Sequence, residues 1–235
     1  MATDVISGKD LAQYIDHTLL KPEASKQQIR KLCEEALEHR FFAVCVNSSM
    51  LPTCREILRS SKVHIASVVG FPLGVSDSAS KAFETNRAIN LGANEIDMVL
   101  NIGALKSGDL AFVERDIFDV VRAAEGKIVK VILETCLLTE EEKKKACELS
   151  VKAGAHFVKT STGFGPVNSL TGTNGATLAD IQLMRSVVGD QAKIKASGGI
   201  RDFDFAVELI RAGATRLGTS SGVALVKGEA VKAGY

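Results

Sequence analysis

The sequence has no excess of either charge sign. Its 29 Lys and Arg offset 28 Asp and Glu, for a net charge of +1. No basic run stands out, so nothing in the composition points to nucleic acid or an anionic membrane as partner. No apolar run is long enough to span a bilayer. The opening MATDVISGKD lacks the apolar core of a signal peptide. A cytoplasmic protein without membrane association is expected. The five cysteines, Cys33, Cys45, Cys54, Cys136 and Cys147, are odd in number and form no C-x-x-C pair. They read as reduced thiols rather than a disulfide frame or a zinc site. His39, His64 and His156 are scattered without ligand spacing, so no metal is required. His17 in DHTLL reads as a hydrogen-bonded structural histidine. No linker or low-complexity stretch divides the chain, so one domain over 1–235 is expected, with a short C-terminal tail at 229–235.

What the sequence does have is a rhythm. LGANEIDMVL (91–100), KAGAHFVKTS (152–161) and RAGATRLGTS (211–220) each read as a helix end, Gly-Ala, then an apolar strand. Gly92, Gly154 and Gly213 suit the left-handed residue that closes a helix. Residues 26–40 place Ile29, Leu32, Cys33, Ala36 and Leu37 on one helical face. Capping-box patterns open this helix at Ser25/Gln28 and another at Thr139/Glu142. Further helices fit at 79–91, 110–124, 178–188 and 203–212. Strands fit at 15–20, 42–46, 63–69, 95–100, 128–134, 156–161, 193–198 and 215–220. Strand alternating with helix implies a parallel sheet. Eight such units in this length predict an α/β, single-domain (β/α)8 barrel, with a doubly wound open sheet as the alternative. The segment 163–176, rich in glycine, reads as mobile or ligand-binding.

Alternation along the strands decides which side chains enter the lumen. If Ile96, Met98, Leu100, Val129, Val131, Leu133, Val158, Ile194 and Ala196 face the helices, then Glu95, Asp97, Lys130, Glu134, Lys159, Lys193 and Lys195 face inward. Asp16 and Thr18 share one face of the first strand, and Cys45 lies on a face that can line the lumen. Barrel lumens are ordinarily packed with branched aliphatic residues. For Lys130 and Glu134 a self-neutralising salt bridge is an equal reading. Lys159 beside Lys195 is different, because adjacent like charges gain nothing for stability. They do lower a lysine pKa, as does partial desolvation. Moving it from about 10.4 towards 7 takes about 4–5 kcal/mol, and the neutral amine attacks a carbonyl to form a Schiff base. Lys159 is the candidate nucleophile, Lys195 its neighbour, and Asp97 a proton shuttle through water.

Glycines and hydroxyls follow the last strands, in SGGI (197–200) and GTSSGV (218–223). Barrels often bind phosphate in the loops after strands seven and eight. Gly198, Gly199, Ser220 and Ser221 sit where that rule needs them, although each turn alone could be an ordinary connection.

The stretches IDHTLLKP, VCVN, VVGFPLG, NEIDMVLN, KVILET, VKTSTGF, KASGGIRD and GTSSG run in order through the whole chain. On them the sequence resembles the deoxyribose-phosphate aldolases, a class I aldolase family. The resemblance implies a (β/α)8 TIM barrel that reversibly cleaves 2-deoxy-D-ribose 5-phosphate to D-glyceraldehyde 3-phosphate and acetaldehyde. It implies Lys159 as the Schiff-base lysine, Lys195 as the second catalytic lysine and Asp97 in the proton relay. It implies Gly198, Gly199, Ser220 and Ser221, with Gly163, as the phosphate cradle. Asp16, Thr18, Cys45, Lys130 and Thr162 are expected to line the site. No cofactor and no metal are expected. The expected partners are sugar-phosphate and aldehyde substrates and further copies of the chain, as dimer or tetramer. Two features depart from some relatives. Phe164 stands where some carry a phosphate-contacting lysine, and the terminal Tyr235 follows Ser221 closely. Three alternatives stay open: a Schiff-base aldolase for another aldehyde or keto acid, a non-catalytic sugar-phosphate-binding barrel, and a barrel isomerase or synthase without a covalent lysine.

Overall fold

The computed structural model describes residues 6–229; the expected tail from 230 onward and Tyr235 lie outside them. The order is α1 (Gly8–Ala12), β1 (Ile15–Leu19), α2 (Lys26–His39), β2 (Ala43–Val46), α3 (Leu51–Leu58), β3 (His64–Val69), α4 (Ser78–Leu91), β4 (Glu95–Val99), α5 (Ile102–Lys106) and α6 (Leu110–Ala123). Then come β5 (Ile128–Ile132), α7 (Glu140–Lys152), β6 (Phe157–Lys159), α8 (Leu178–Val188), β7 (Lys193–Ser197), α9 (Phe203–Arg211), β8 (Arg216–Thr219) and α10 (Gly222–Lys227). The eight strands pair in parallel and in chain order, and β8 closes on β1. The expected closed barrel is therefore the observed one, and the open sheet is excluded.

Local chemistry explains most boundaries. Ser25 and Thr139 accept from the backbone N–H groups of Gln28 and Glu142, whose side chains return the bond, so both expected capping boxes form. Gly92, Gly154 and Gly213 take φ of 110°, 85° and 123° at the helix ends, which only glycine adopts without strain. The helix over Leu51–Leu58 and the short α1, α5 and α10 were not legible from periodicity. They span between five and eight residues, about two turns or fewer, too short for a 3.6-residue pattern to repeat.

The outward set is apolar as expected. Ile96, Met98, Val129, Val131, Val158, Ile194 and Ala196 are buried in one cluster with Ile117 of α6 and Ile181 and Met184 of α8. The lumen is divided. Towards β2 and β3 it is apolar, with Leu20, Cys45, Ala66 and Val68 packed together. Towards β4–β8 and Asp16 of β1 it is charged. Lys193, expected inward, instead stands exposed at the start of β7, with its ammonium 5.9 Å from the centre of the Phe157 ring. At the N-terminal rim of the barrel its charge stays in water, which a deeper lumen position would deny it.

Because the outer layer carries the apolar burial, Met98→Ala should cost about 2–5 kcal/mol of stability in urea denaturation while leaving the charged side of the lumen unchanged.

Candidate active site

Asp97 is the centre of the charged half. Its Oδ1 accepts from Lys130 Nζ at 2.6 Å. Its Oδ2 accepts from both Lys159 Nζ at 2.9 Å and Lys195 Nζ at 2.8 Å. The parallel register sets this up: Asp97 pairs with Lys130 and Lys159 with Lys195 across neighbouring strands. Asp97 and Lys195 are completely buried, and Lys159 is 3% exposed. Burial alone would push the Asp97 carboxyl upward, but Lys130, Lys159 and Lys195 hold it well below the usual carboxylate range.

A lower tier supports this one. Asp16 accepts from Lys195 and, at 2.8 Å, from Arg216. Glu95 accepts from Arg216 at 3.2 Å and pairs with Lys130 at 2.6 Å. Arg216 also lies 3.5 Å over the Phe42 ring, a cation–π contact. Burial opposes the ionised form of Asp16, yet Lys195, Arg216 and Lys130 lower it to about 2. Burial likewise works against the Lys195 ammonium, and Asp16 and Asp97 overcome it, so this lysine stays charged.

These contacts correct one expectation. Lys159 and Lys195 are neighbours, but not as bare like charges, because one carboxylate oxygen lies between them. Glu95 faces inward as the alternation of EIDMVL predicts, although its partners were not foreseen. Arg216 escaped sequence reading, because a lone strand arginine reads equally as a surface residue. Gly218 was missed too, although a glycine inside a strand signals close approach. Gly218 faces Asp16 across the β1–β8 pair, and a Cβ there would stand 3.0 Å from Lys195 Cε. The bare backbone lets the Lys195 side chain cross β8 to reach Asp16.

Above this network lies a cleft at the C-terminal strand ends. Lys159, Thr18, Thr162, Gly163, Gly198, Gly199, Ser220 and Ser221 all line it, together with Leu20, Phe164, Asn174 and Arg201. Asp16, Cys45 and Lys130, expected to line the site, lie beneath its floor instead, each completely buried. Their strand positions are nearer the barrel's middle, where the lumen is filled. The Cys45 Sγ is 4.0 Å from Asp97 Oδ2; burial and that negative charge push its thiol up, away from the reactive thiolate. His17 is the structural residue expected, with Nε2 2.7 Å from Glu35.

The segment 163–176 forms one wall of the cleft. Asn174 Nδ2 donates to the carbonyls of Gly163 and Gly165 at 3.3 and 2.9 Å. Ala176 N–H donates to the Gly198 carbonyl, and a Cβ on Gly175 would lie 2.2 Å from that same oxygen. Phe164 meets Phe71 edge-on, ring centres 5.4 Å apart, so an aromatic pair stands at this edge of the cleft.

Asp16 carries a stability signature. Its carboxyl is lowered in the fold relative to an ordinary 3.8, so its contribution is fully present above pH 3.8 and lost as the pH falls towards 2. Acid titration monitored by circular dichroism should show roughly 2 kcal/mol of this loss, and Asp16→Asn should remove that part of the pH dependence. Gly218→Val should separate Lys195 from Asp16 and lower turnover more than it lowers the melting temperature.

A family profile described as DeoC/LacD family aldolase matches residues 11–228. A deoxyribose-phosphate aldolase of Bdellovibrio bacteriovorus is 58% identical over 225 residues, covering 96% of this chain and 99% of the relative. One from Thermococcus gammatolerans is 55% identical, covering 94% and 97%. A solved deoxyribose phosphate aldolase from Aeropyrum pernix, described as tetrameric, superposes with a TM-score of 0.85 at 32% identity, covering 94% of this chain and 91% of that one. With the closed barrel and the lysine–aspartate cluster beneath the cleft, these matches establish that the chain belongs to the DeoC/LacD family of aldolases.

Proposed function

We propose that the protein reversibly cleaves 2-deoxy-D-ribose 5-phosphate to D-glyceraldehyde 3-phosphate and acetaldehyde through a Schiff base on Lys159. The carrying observation is a shared acceptor: Lys159 Nζ lies 2.9 Å from Asp97 Oδ2, which Lys195 Nζ also reaches at 2.8 Å, so a proton relay touches the amine that is to attack a carbonyl. Lys159 is also the member of the cluster that reaches the cleft.

In this reading the Lys159 amine adds to the C1 aldehyde of the open-chain sugar. Asp97 and Lys195, acting through water, deliver the proton with which the adduct loses its hydroxyl as water, leaving a protonated imine. The C2–C3 bond then breaks, its electron pair moving towards the imine nitrogen, while the C3 hydroxyl gives its proton back to the relay. D-Glyceraldehyde 3-phosphate departs, and an enamine of acetaldehyde stays on Lys159 until protonation at carbon and hydrolysis release it. Gly163, Gly198, Gly199, Ser220 and Ser221 hold the phosphate with backbone N–H groups and hydroxyls. Phe164 in place of a cation is expected to make the enzyme tolerant of non-phosphorylated aldehydes. A homo-oligomer working in the cytoplasm completes the reading; no helix among the described residues is long and apolar enough to cross a membrane.

Acetaldehyde and sodium borohydride should leave one ethyl group on Lys159, located by peptide mapping; a folded protein without that adduct would favour a sugar-phosphate-binding barrel. Lys159→Ala should lower turnover by about a thousandfold or more with the fold intact by circular dichroism.

A further inference from the structure

Glu134 is a buried acid that the cleavage scheme leaves unused. Its carboxyl is 3% exposed, and it does not line the cleft. Alternation along KVILE places it in the lumen with Lys130, but β5 ends at Ile132. Glu134 adopts φ 56° and ψ 64°, the left-handed region where a residue with a side chain is strained. On either side the ladder continues: Leu133 N–H donates to the Lys159 carbonyl at 2.8 Å and Thr135 N–H to that of Thr160 at 3.0 Å. The chain is therefore bulged at one residue, which turns that one side chain away from the alternation.

The side chain goes to Thr162, with the Cys136 Sγ also 3.9 Å from its Oε1. Thr162 N–H donates to Glu134 Oε1 at 3.1 Å, and the Thr162 hydroxyl donates to Oε2. The same hydroxyl accepts from Phe164 N–H at 2.9 Å. One carboxylate thus ties both ends of the turn Thr162–Gly163–Phe164, all three members of which line the cleft beside Lys159. Gly165 packs directly over it; a Cβ there would lie 2.8 Å from Cys136 Sγ and 3.1 Å from Glu134 Cδ. Asn174 holds the turn's carbonyls from the opposite side. Burial pushes the Glu134 carboxyl up, and the Thr162 bonds work against that rise. A glycine would take this backbone at no cost, so the strained glutamate is explained by what its carboxyl does.

We infer that Glu134 is a positioning residue of the aldolase reaction: through Thr162 it fixes the turn that holds the sugar phosphate over Lys159. The inference rests on the proposed reading of the cleft. Glu134 sets where the substrate lies, and Lys159 does the chemistry.

Glu134→Gly is the informative variant, because it removes the clamp while keeping the left-handed backbone unstrained. It should raise KM for 2-deoxyribose 5-phosphate about tenfold or more, with a smaller change in kcat. Glu134→Gln, which keeps an acceptor for Thr162 N–H, should recover most of that loss. Thr162→Val, cutting the link from the other side, should reproduce part of it. Acetaldehyde–borohydride trapping on Lys159, which needs no sugar phosphate, should persist in all three. KM within about twofold of the parent in both Glu134→Gly and Thr162→Val would overturn the inference. So would loss of trapping in Glu134→Gly, which would place the carboxyl in the imine chemistry itself. If the unsubstituted protein is not trapped at Lys159, the reading of the cleft fails and the inference falls with it; trapping at Lys159 with unmoved KM values removes only the clamp.

Discussion

Everything at the working end of this barrel depends on one carboxylate. Asp97 takes Lys130 on one oxygen and both Lys159 and Lys195 on the other. Without it, three lysine side chains would lose their common acceptor inside a buried lumen, and burying even one unpaired charge is costly. With it, the lysines lie within hydrogen-bond reach of a common acceptor, the arrangement a proton relay needs. The second tier of Asp16, Glu95 and Arg216 is then the counterweight that lets Asp97 divide its attention three ways.

Such a network is not an efficient source of stability. Desolvating several charges roughly cancels their attraction, and well-packed aliphatic side chains often do as well or better. The apolar layer between barrel and helices carries the burial, as Ile96, Met98, Val131 and Ile194 illustrate. The division of labour is spatial: the outer strand faces hold the barrel together, and the inner faces of β4–β8 and β1 hold charge in register. Gly218 joins the two requirements, since its missing side chain is what allows Lys195 to span a whole strand and meet Asp16.

Much of this is legible in the amino-acid sequence. The Gly-Ala phrase, the capping boxes and strict alternation specify eight units and send Asp97, Lys130, Lys159 and Lys195 to a common interior, because period and facing are local properties. What escaped is what depends on three-dimensional closure. That Glu95 and Arg216 meet requires β4 and β8 to face each other across the lumen, and nothing in either strand announces it. The depth of Asp16, Cys45 and Lys130 below the cleft is a matter of barrel stagger, which strand pattern does not encode. Glu134 defeated alternation outright, since one left-handed residue undoes the period on which the reading rests. Lys193 obeyed the period, but at a strand end the exposed rim wins over the facing rule.

The floor beneath the cleft has a kinetic meaning. Asp16, Glu95, Asp97, Lys130 and Lys195 are completely buried, and Arg216 lies over the Phe42 ring beside them. Lys159 lines the cleft and touches Asp97. In the proposed reading protons pass between relay and substrate at that junction, so a change that lengthens the Lys159–Asp97 contact would slow the proton-transfer steps of the cycle together rather than one of them.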